Sequence, residues 1–178
     1  MYKIFFIIFF IAFSLSGCVK DVDFSQTDDF QLIQPIDIPF VYFDFNQTHF
    51  IDAQNNEIQS LTDETFIKIG SDVWTHISDK VELEINTSNS FDRDFTLKFD
   101  FYDINNVFLF QKSIAVSANS HNTTQYILIE GEELYLFQLM YKVGTKVIMS
   151  TGAPIQSNVN QTLSLKSALH FNLNYTSN

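Results

Sequence analysis

Leu163-Ser164-Leu165-Lys166-Ser167-Ala168-Leu169-His170-Phe171-Asn172-Leu173-Asn174-Tyr175 is the stretch that decides the fold. Leu163, Leu165, Leu169, Phe171, Leu173 and Tyr175 share one parity, interrupted only by Ser167. Ser164, Lys166, Ala168, His170, Asn172 and Asn174 share the other. Side chains of a strand point alternately to its two faces, so this is a strand with one apolar and one polar face. Such a strand belongs to an antiparallel sheet packed on one side only.

The same period of two recurs upstream. Phe95, Leu97, Phe99 and Phe101 alternate with Thr96, Lys98, Asp100 and Tyr102, and Val81, Leu83 and Ile85 alternate with Lys80, Glu82, Glu84 and Asn86. Shorter or less regular runs follow at 107–116, 126–129 and 146–150, separated by turns rich in Asn, Asp and Ser. In the run 40–45, Phe40 and Tyr42 alternate with Val41, Phe43 and Phe45, so aromatics fall on both parities and a strand covered on both sides is expected. Residues 61–79 read as a broken extended segment, because Gly70-Ser71-Asp72 interrupts them. A short helix is expected near 131–142, where Leu134, Phe137, Met140 and Tyr141 fall three or four apart. The sum is an all-β chain, an antiparallel β-sandwich whose nearest general model is the immunoglobulin and fibronectin type III architecture, without the cysteine pair of true immunoglobulin domains. A membrane-spanning barrel fits less well, since several strands fall short of the roughly 9–11 residues needed to cross a bilayer.

Composition narrows the chemistry. The formal charge of -11 disfavours nucleic acid and anionic lipid as partners of the domain. The twenty Phe exceed what loops can carry, so most must be core. No GxSxG elbow, SxxK pair or GxxxxGK[ST] loop occurs, and His49, His76, His121 and His170 lack zinc-site spacing. Glu82, Glu84 and Asp100 are expected on solvated faces, so no catalytic residue, metal site or cofactor is expected. The acidic group Asp21, Asp23, Asp28 and Asp29 lacks the glycine and terminal glutamate of a calcium loop. Exposed aromatics are the remaining candidates for binding, and Trp74, Tyr102, Phe108 and Phe110 are the ones expected near loops or on a polar face.

The N-terminus carries a different kind of signal. Lys3 precedes an apolar run from Ile4 to Leu15, followed by Leu15-Ser16-Gly17-Cys18. The run is short for a transmembrane helix and has the layout of a cleaved secretion signal. Leu15, Ser16, Gly17 and Cys18 resemble the lipobox of bacterial lipoproteins. Together with Asp21-Val22-Asp23-Phe24, the segment 93–101 with its Asp103 turn, and the strand Leu163-Ser164-Leu165-Lys166-Ser167, they make the chain resemble small outer-membrane lipoproteins of Bacteroidota. That resemblance implies cleavage before Cys18, a diacylglycerol and an N-acyl chain on Cys18, and no catalytic residue. Lys20 and Asp21 look like the lysine-plus-acid export signal of surface lipoproteins in that group. Two or more buried acyl chains anchor far more firmly than one.

The expected organisation is therefore a signal at 1–17, a lipidated acidic tether at 18–39 and a β-sandwich domain at 40–178. The leading expectation is a non-catalytic, membrane-anchored accessory or interaction module of an outer-membrane complex, with an envelope protein as partner. The alternative is a module that binds a glycan or another small ligand. The first predicts an exposed apolar patch or an open strand edge. The second predicts a concave site with two aromatics flanked by Asn, Asp or Gln.

Overall fold

The structure, a computed structural model, describes residues 31–67, 73–74, 76–155 and 159–176. Leu15, Ser16, Gly17, Cys18, Lys20 and Asp21 lie outside the described residues, as do Asp23, Asp28, Asp29 and the segment 70–72. The strands are β1 (Gln31–Asn46), β2 (Ser60–Phe66), β3 (Ile77–Asn89), β4 (Phe95–Tyr102), β5 (Phe108–Val116), β6 (Ser120–Glu130), β7 (Lys142–Met149) and β8 (Thr162–Thr176). A 3-10 turn (Gln47–Phe50) follows β1, and a helix α1 (Glu132–Gln138) joins β6 to β7.

Two four-stranded sheets result, sheet 1 in the order β1-β8-β3-β6 and sheet 2 in the order β2-β7-β4-β5. The pairs β2–β7, β3–β6, β3–β8, β4–β5 and β4–β7 are all antiparallel. The antiparallel β-sandwich expected from the periodicity is thus present. Its connectivity differs from the immunoglobulin type, which divides seven strands four and three. Here only β4 and β5 are sequence neighbours within a sheet, and every other connection crosses to the opposite sheet, which is the order of a jelly roll. The difference has a simple cause: alternation reports which side of a strand is buried, not which strand lies beside it.

The core lies between the sheets and takes one parity from each strand. Val81, Leu83 and Ile85 of β3 face Phe95, Leu97, Phe99 and Phe101 of β4 across the interior, and all are at most 1% exposed. Side chains of this size contribute roughly 1.5–3 kcal/mol each on burial, so a one-residue slip that turned them outward would be prohibitive. Ser167, the interruption in β8, sits opposite Ile85 on this buried parity. Its hydroxyl accepts from the Val41 N–H and donates to the Val41 carbonyl, both at 2.9 Å. At that point β1 breaks its alternation: Ile36, Ile38 and Phe40 turn inward before it, and Val41, Phe43 and Phe45 after it. The aromatics on both parities of 40–45 therefore reflect a switch of register, with Tyr42 67% exposed, and not a strand covered on both sides. Residues 31–39, expected in the tether, belong to β1, so the expected boundary at residue 40 falls inside a strand.

Two polar segments also join strands. β3 continues through Thr87, Ser88 and Asn89, and β6 begins at Ser120, because Asn86 and Ser88 hydrogen-bond Thr124 and Asn122 across the pair. Buried Asn89 is fully used: its amide donates to the carbonyls of Arg93 (2.8 Å) and Ser117 (2.9 Å), and its oxygen accepts from Phe91 N–H (2.9 Å).

Beside it, the Arg93 guanidinium is buried at the end of the sandwich where β1, β3, β5 and β7 finish. It meets Glu57 through Nη2 (2.8 Å) and Nη1 (3.1 Å), and Nη2 also donates to the Ala153 carbonyl. Burial alone would raise the Glu57 carboxyl, but hydrogen bonds from Arg93 and from Ile155 N–H, with the attraction of the guanidinium, hold it below the usual carboxylate value. At the opposite end α1 covers the core with Leu134 and Phe137, the latter edge-on to Trp74 at 5.3 Å. Seven residues are too few for a stable isolated helix, so this burial holds it.

Candidate functional site

The outer face of sheet 2 carries the most distinctive surface. On β4 the outward parity is Thr96, Lys98, Asp100 and Tyr102, as the sequence indicated. The register sets Gly144 of β7 directly between Glu64 of β2 and Asp100 of β4. A position without a side chain, between two carboxylates, leaves an open notch of about 460 Å³ lined by Thr62, Asp63, Glu64, Asp100, Tyr102, Gly144, Thr145 and Lys146. The Tyr102 ring forms one wall: a Cβ on Gly144 would stand 3.3 Å from Tyr102 Cε2.

The walls are fixed by their own contacts. Lys142 donates to Glu64 at 2.7 Å and lies 5.1 Å from the Tyr102 ring centroid, so one cation positions both a carboxylate and an aromatic face. Gln111 of β5 donates to Asp100 at 2.5 Å. Phe108 packs edge-on to Tyr102, with centroids 6.0 Å apart, while remaining 53% exposed. Polar hydrogen-bonding groups therefore flank two adjoining aromatic rings.

Of the four aromatics singled out from the sequence, Tyr102 and Phe108 lie at this site and the other two do not. Trp74 is 3% exposed and packs on Phe137 and Phe171. Phe110 is buried and stacks on Phe101 at 4.4 Å. Phe108 and Phe110 share a parity in sequence yet face opposite ways, because Tyr102 pairs with Phe108 while Phe101 pairs with Phe110. Leu109 is the extra residue of a bulge, which re-aims the side chains on either side of it. The notch itself was missed in sequence; its only signal was a lone glycine in an apolar strand, which marks close approach or a gap.

Glu82 and Glu84 project from the outer face of sheet 1, so they do not converge with Asp100. On sheet 1 His170 of β8 joins its two neighbours. Its Nδ1 lies 2.7 Å from Asp37 of β1, and its Nε2 is 3.3 Å from Glu84 of β3, within ion-pair distance but without the alignment of a hydrogen bond. The hydrogen bond with Asp37 is the largest influence and outweighs burial, and with the attraction of both carboxylates it raises the His170 value above 6.5. His170, expected to face solvent, is thus a cross-strand latch on the polar face. Among the described residues no three His, Cys, Asp or Glu side chains are grouped to hold a metal ion.

No protein-family profile matches the chain, and no curated protein does. Solved structures of viral proteins are similar at low level. A structure of the infectious bursal disease virus Gt strain matches with 10% identity and a TM-score of 0.46, covering 79% of this chain and 33% of that one. The VP2 subviral particle of the same virus gives 10% identity and a TM-score of 0.44, over 82% and 33%. Desmodium yellow mottle tymovirus gives 8% and 0.33, over 84% and 91%. This chain thus spans about a third of the length of the bursal disease virus chains. The class of the domain rests on its own strand order: an eight-stranded jelly roll with an aromatic and carboxylate notch on one outer face.

Proposed function

We propose that the protein is a non-catalytic lipoprotein, anchored in the outer membrane through Cys18, whose jelly-roll domain binds a glycan on the outer face of sheet 2. The observation that carries this reading is the Gly144 notch, with the Tyr102 ring as one wall and Glu64, Asp100 and Lys146 around it. A sugar offers an apolar C–H face and a rim of hydroxyls. An aromatic ring takes the first, and carboxylates, an amide and an ammonium take the second. Asp100 and Gln111 already hydrogen-bond one another, so the polar rim is set before a ligand arrives.

An array of envelope and plant or host glycans, probed with the mature chain, tests this. Binding is expected, with a loss of at least tenfold in Tyr102→Ala and in Gly144→Val, whose side chain fills the notch. The docking of an envelope protein is the second reading, favoured by Tyr126 and Leu128, 60% and 41% exposed on the edge strand β6. Absence of glycan binding, together with stoichiometric recovery of an outer-membrane protein on mild-detergent purification, would overturn the first reading in favour of the second.

A further inference from the structure

The end of the sandwich covered by α1 exposes large apolar residues that the core does not use. Ile104 and Val107 lie in the β4–β5 turn at 72% and 56% exposure, and Tyr135 and Leu139 lie on and just after α1 at 63% and 49%. Phe66 and Tyr141, edge-on to each other at 5.8 Å, complete the group on the sheet 2 side. Turn tips are ordinarily polar, yet this one is built rigidly to present apolar side chains. Asp103 Oδ1 accepts from the N–H groups of Asn105 (2.8 Å) and Val107 (2.7 Å), and Asn106 takes a positive φ of 68°. An apolar surface gathered at one end, with a fixed presentation, marks a contact site.

Strand directions identify what meets it. β1 runs against β8, since Asp37 meets His170 and Val41 meets Ser167. The chain therefore enters β1 at the same end at which β8 and β6 finish and β4 turns into β5. Twelve residues, 19–30, separate Cys18 from β1. Even fully extended they span at most about 45 Å. The thirteen-residue β3 is about 40 Å long. Bringing the Arg93 end to a bilayer would require those residues to run back along the whole domain at nearly full extension, whereas the α1 end needs no such stretch.

We propose that the α1 end, through Ile104, Val107, Tyr135 and Leu139, rests on a zwitterionic phospholipid surface. The inference rests on the anchored reading given above. Tyrosine and branched aliphatic side chains suit the headgroup boundary. Asp103, Glu130 and Glu132 at the same end disfavour an anionic surface; exposed Lys80 lies directly across from Glu130, and Lys112 and Lys142 are taken up by Glu133 and Glu64.

Cys18 is the single cysteine, so the chain from Cys18 onward can be coupled to a maleimide lipid in phosphatidylcholine nanodiscs whether or not the cell lipidates it. Gadolinium chelated on the lipid headgroups then reports proximity through broadening of amide signals. Broadening at residues 103–107 and 135–141 is expected to exceed that around Arg93 by at least tenfold. The triple variant Ile104→Ser, Val107→Ser, Leu139→Ser should abolish the difference, and phosphatidylglycerol should reduce it. Equal broadening at both ends, or a pattern that the triple variant leaves unchanged, overturns the proposal. The mass of the protein extracted from its own envelope tests the anchor separately: an unmodified Cys18 defeats that reading without altering the nanodisc result.

Discussion

At one end of the sandwich the Arg93 guanidinium is closed in against Glu57, Ser150 and Ala153, and at the other Ile104, Val107 and Leu139 stand in solvent. The two ends of one core are finished by opposite means. Four connections converge on the Arg93 end, and their backbone groups need partners once water is excluded. Arg93 and Asn89 supply those partners, and Asp94 adds one more by accepting from Ala118 N–H at 2.8 Å. The α1 end closes its core with Leu134 and Phe137 and then adds an apolar outer layer that no packing requirement explains. The polar end is therefore a structural seal, and the apolar end is a surface left for contact.

The contrast can be broken most readily at the seal. Arg93→Met removes both bonds to Glu57 and leaves its partly buried carboxylate without a counter-charge, held only by the Ile155 N–H, and should cost about 3 kcal/mol in denaturant unfolding. A loss below about 1 kcal/mol would mean that the end is held by backbone alone. Ser167→Ala opens the point where β1 changes parity and should cost about 1–2 kcal/mol, with faster amide exchange at Val41. The His170 latch should show as a pH dependence. Its folded value lies above 6.5, so its stabilisation is complete below that value and is lost as pH rises through the folded value. Midpoints at about pH 6 and about pH 8.5 should therefore differ more in the wild-type chain than in His170→Gln. At the opposite end Ile104→Ser should change stability by no more than about 0.5 kcal/mol, since a side chain already in water contributes no burial. A large loss there would show that the apolar end is structural after all.

Much of this fold is legible in the chain. Residues 95–102 and 163–175 declare their buried faces by alternation, and α1 lies within the span that Leu134 and Phe137 indicate. What alternation does not encode is what the pairing decides. The jelly-roll order, the extension of β6 into the polar Ser120-His121-Asn122-Thr123-Thr124, and the incorporation of residues 31–39 into β1 all depend on a neighbouring strand. The site divides in the same way. Tyr102 was readable as an aromatic on a polar parity, but the opposite facing of Phe108 and Phe110 comes from a single bulged residue. Gly144 becomes a notch only when Glu64 and Asp100 are brought to either side of it.

Glycan binding at the notch is tested most directly by an amide chemical-shift titration of residues 18–178 with oligosaccharides released from the surface polysaccharide of the protein's own host. Saturable shifts confined to Glu64, Asp100, Tyr102, Gly144 and Lys146, absent in Gly144→Val, are expected. Shifts that cluster instead on the β6 edge at Tyr126 and Leu128, or titration without any shift, would contradict binding at the notch.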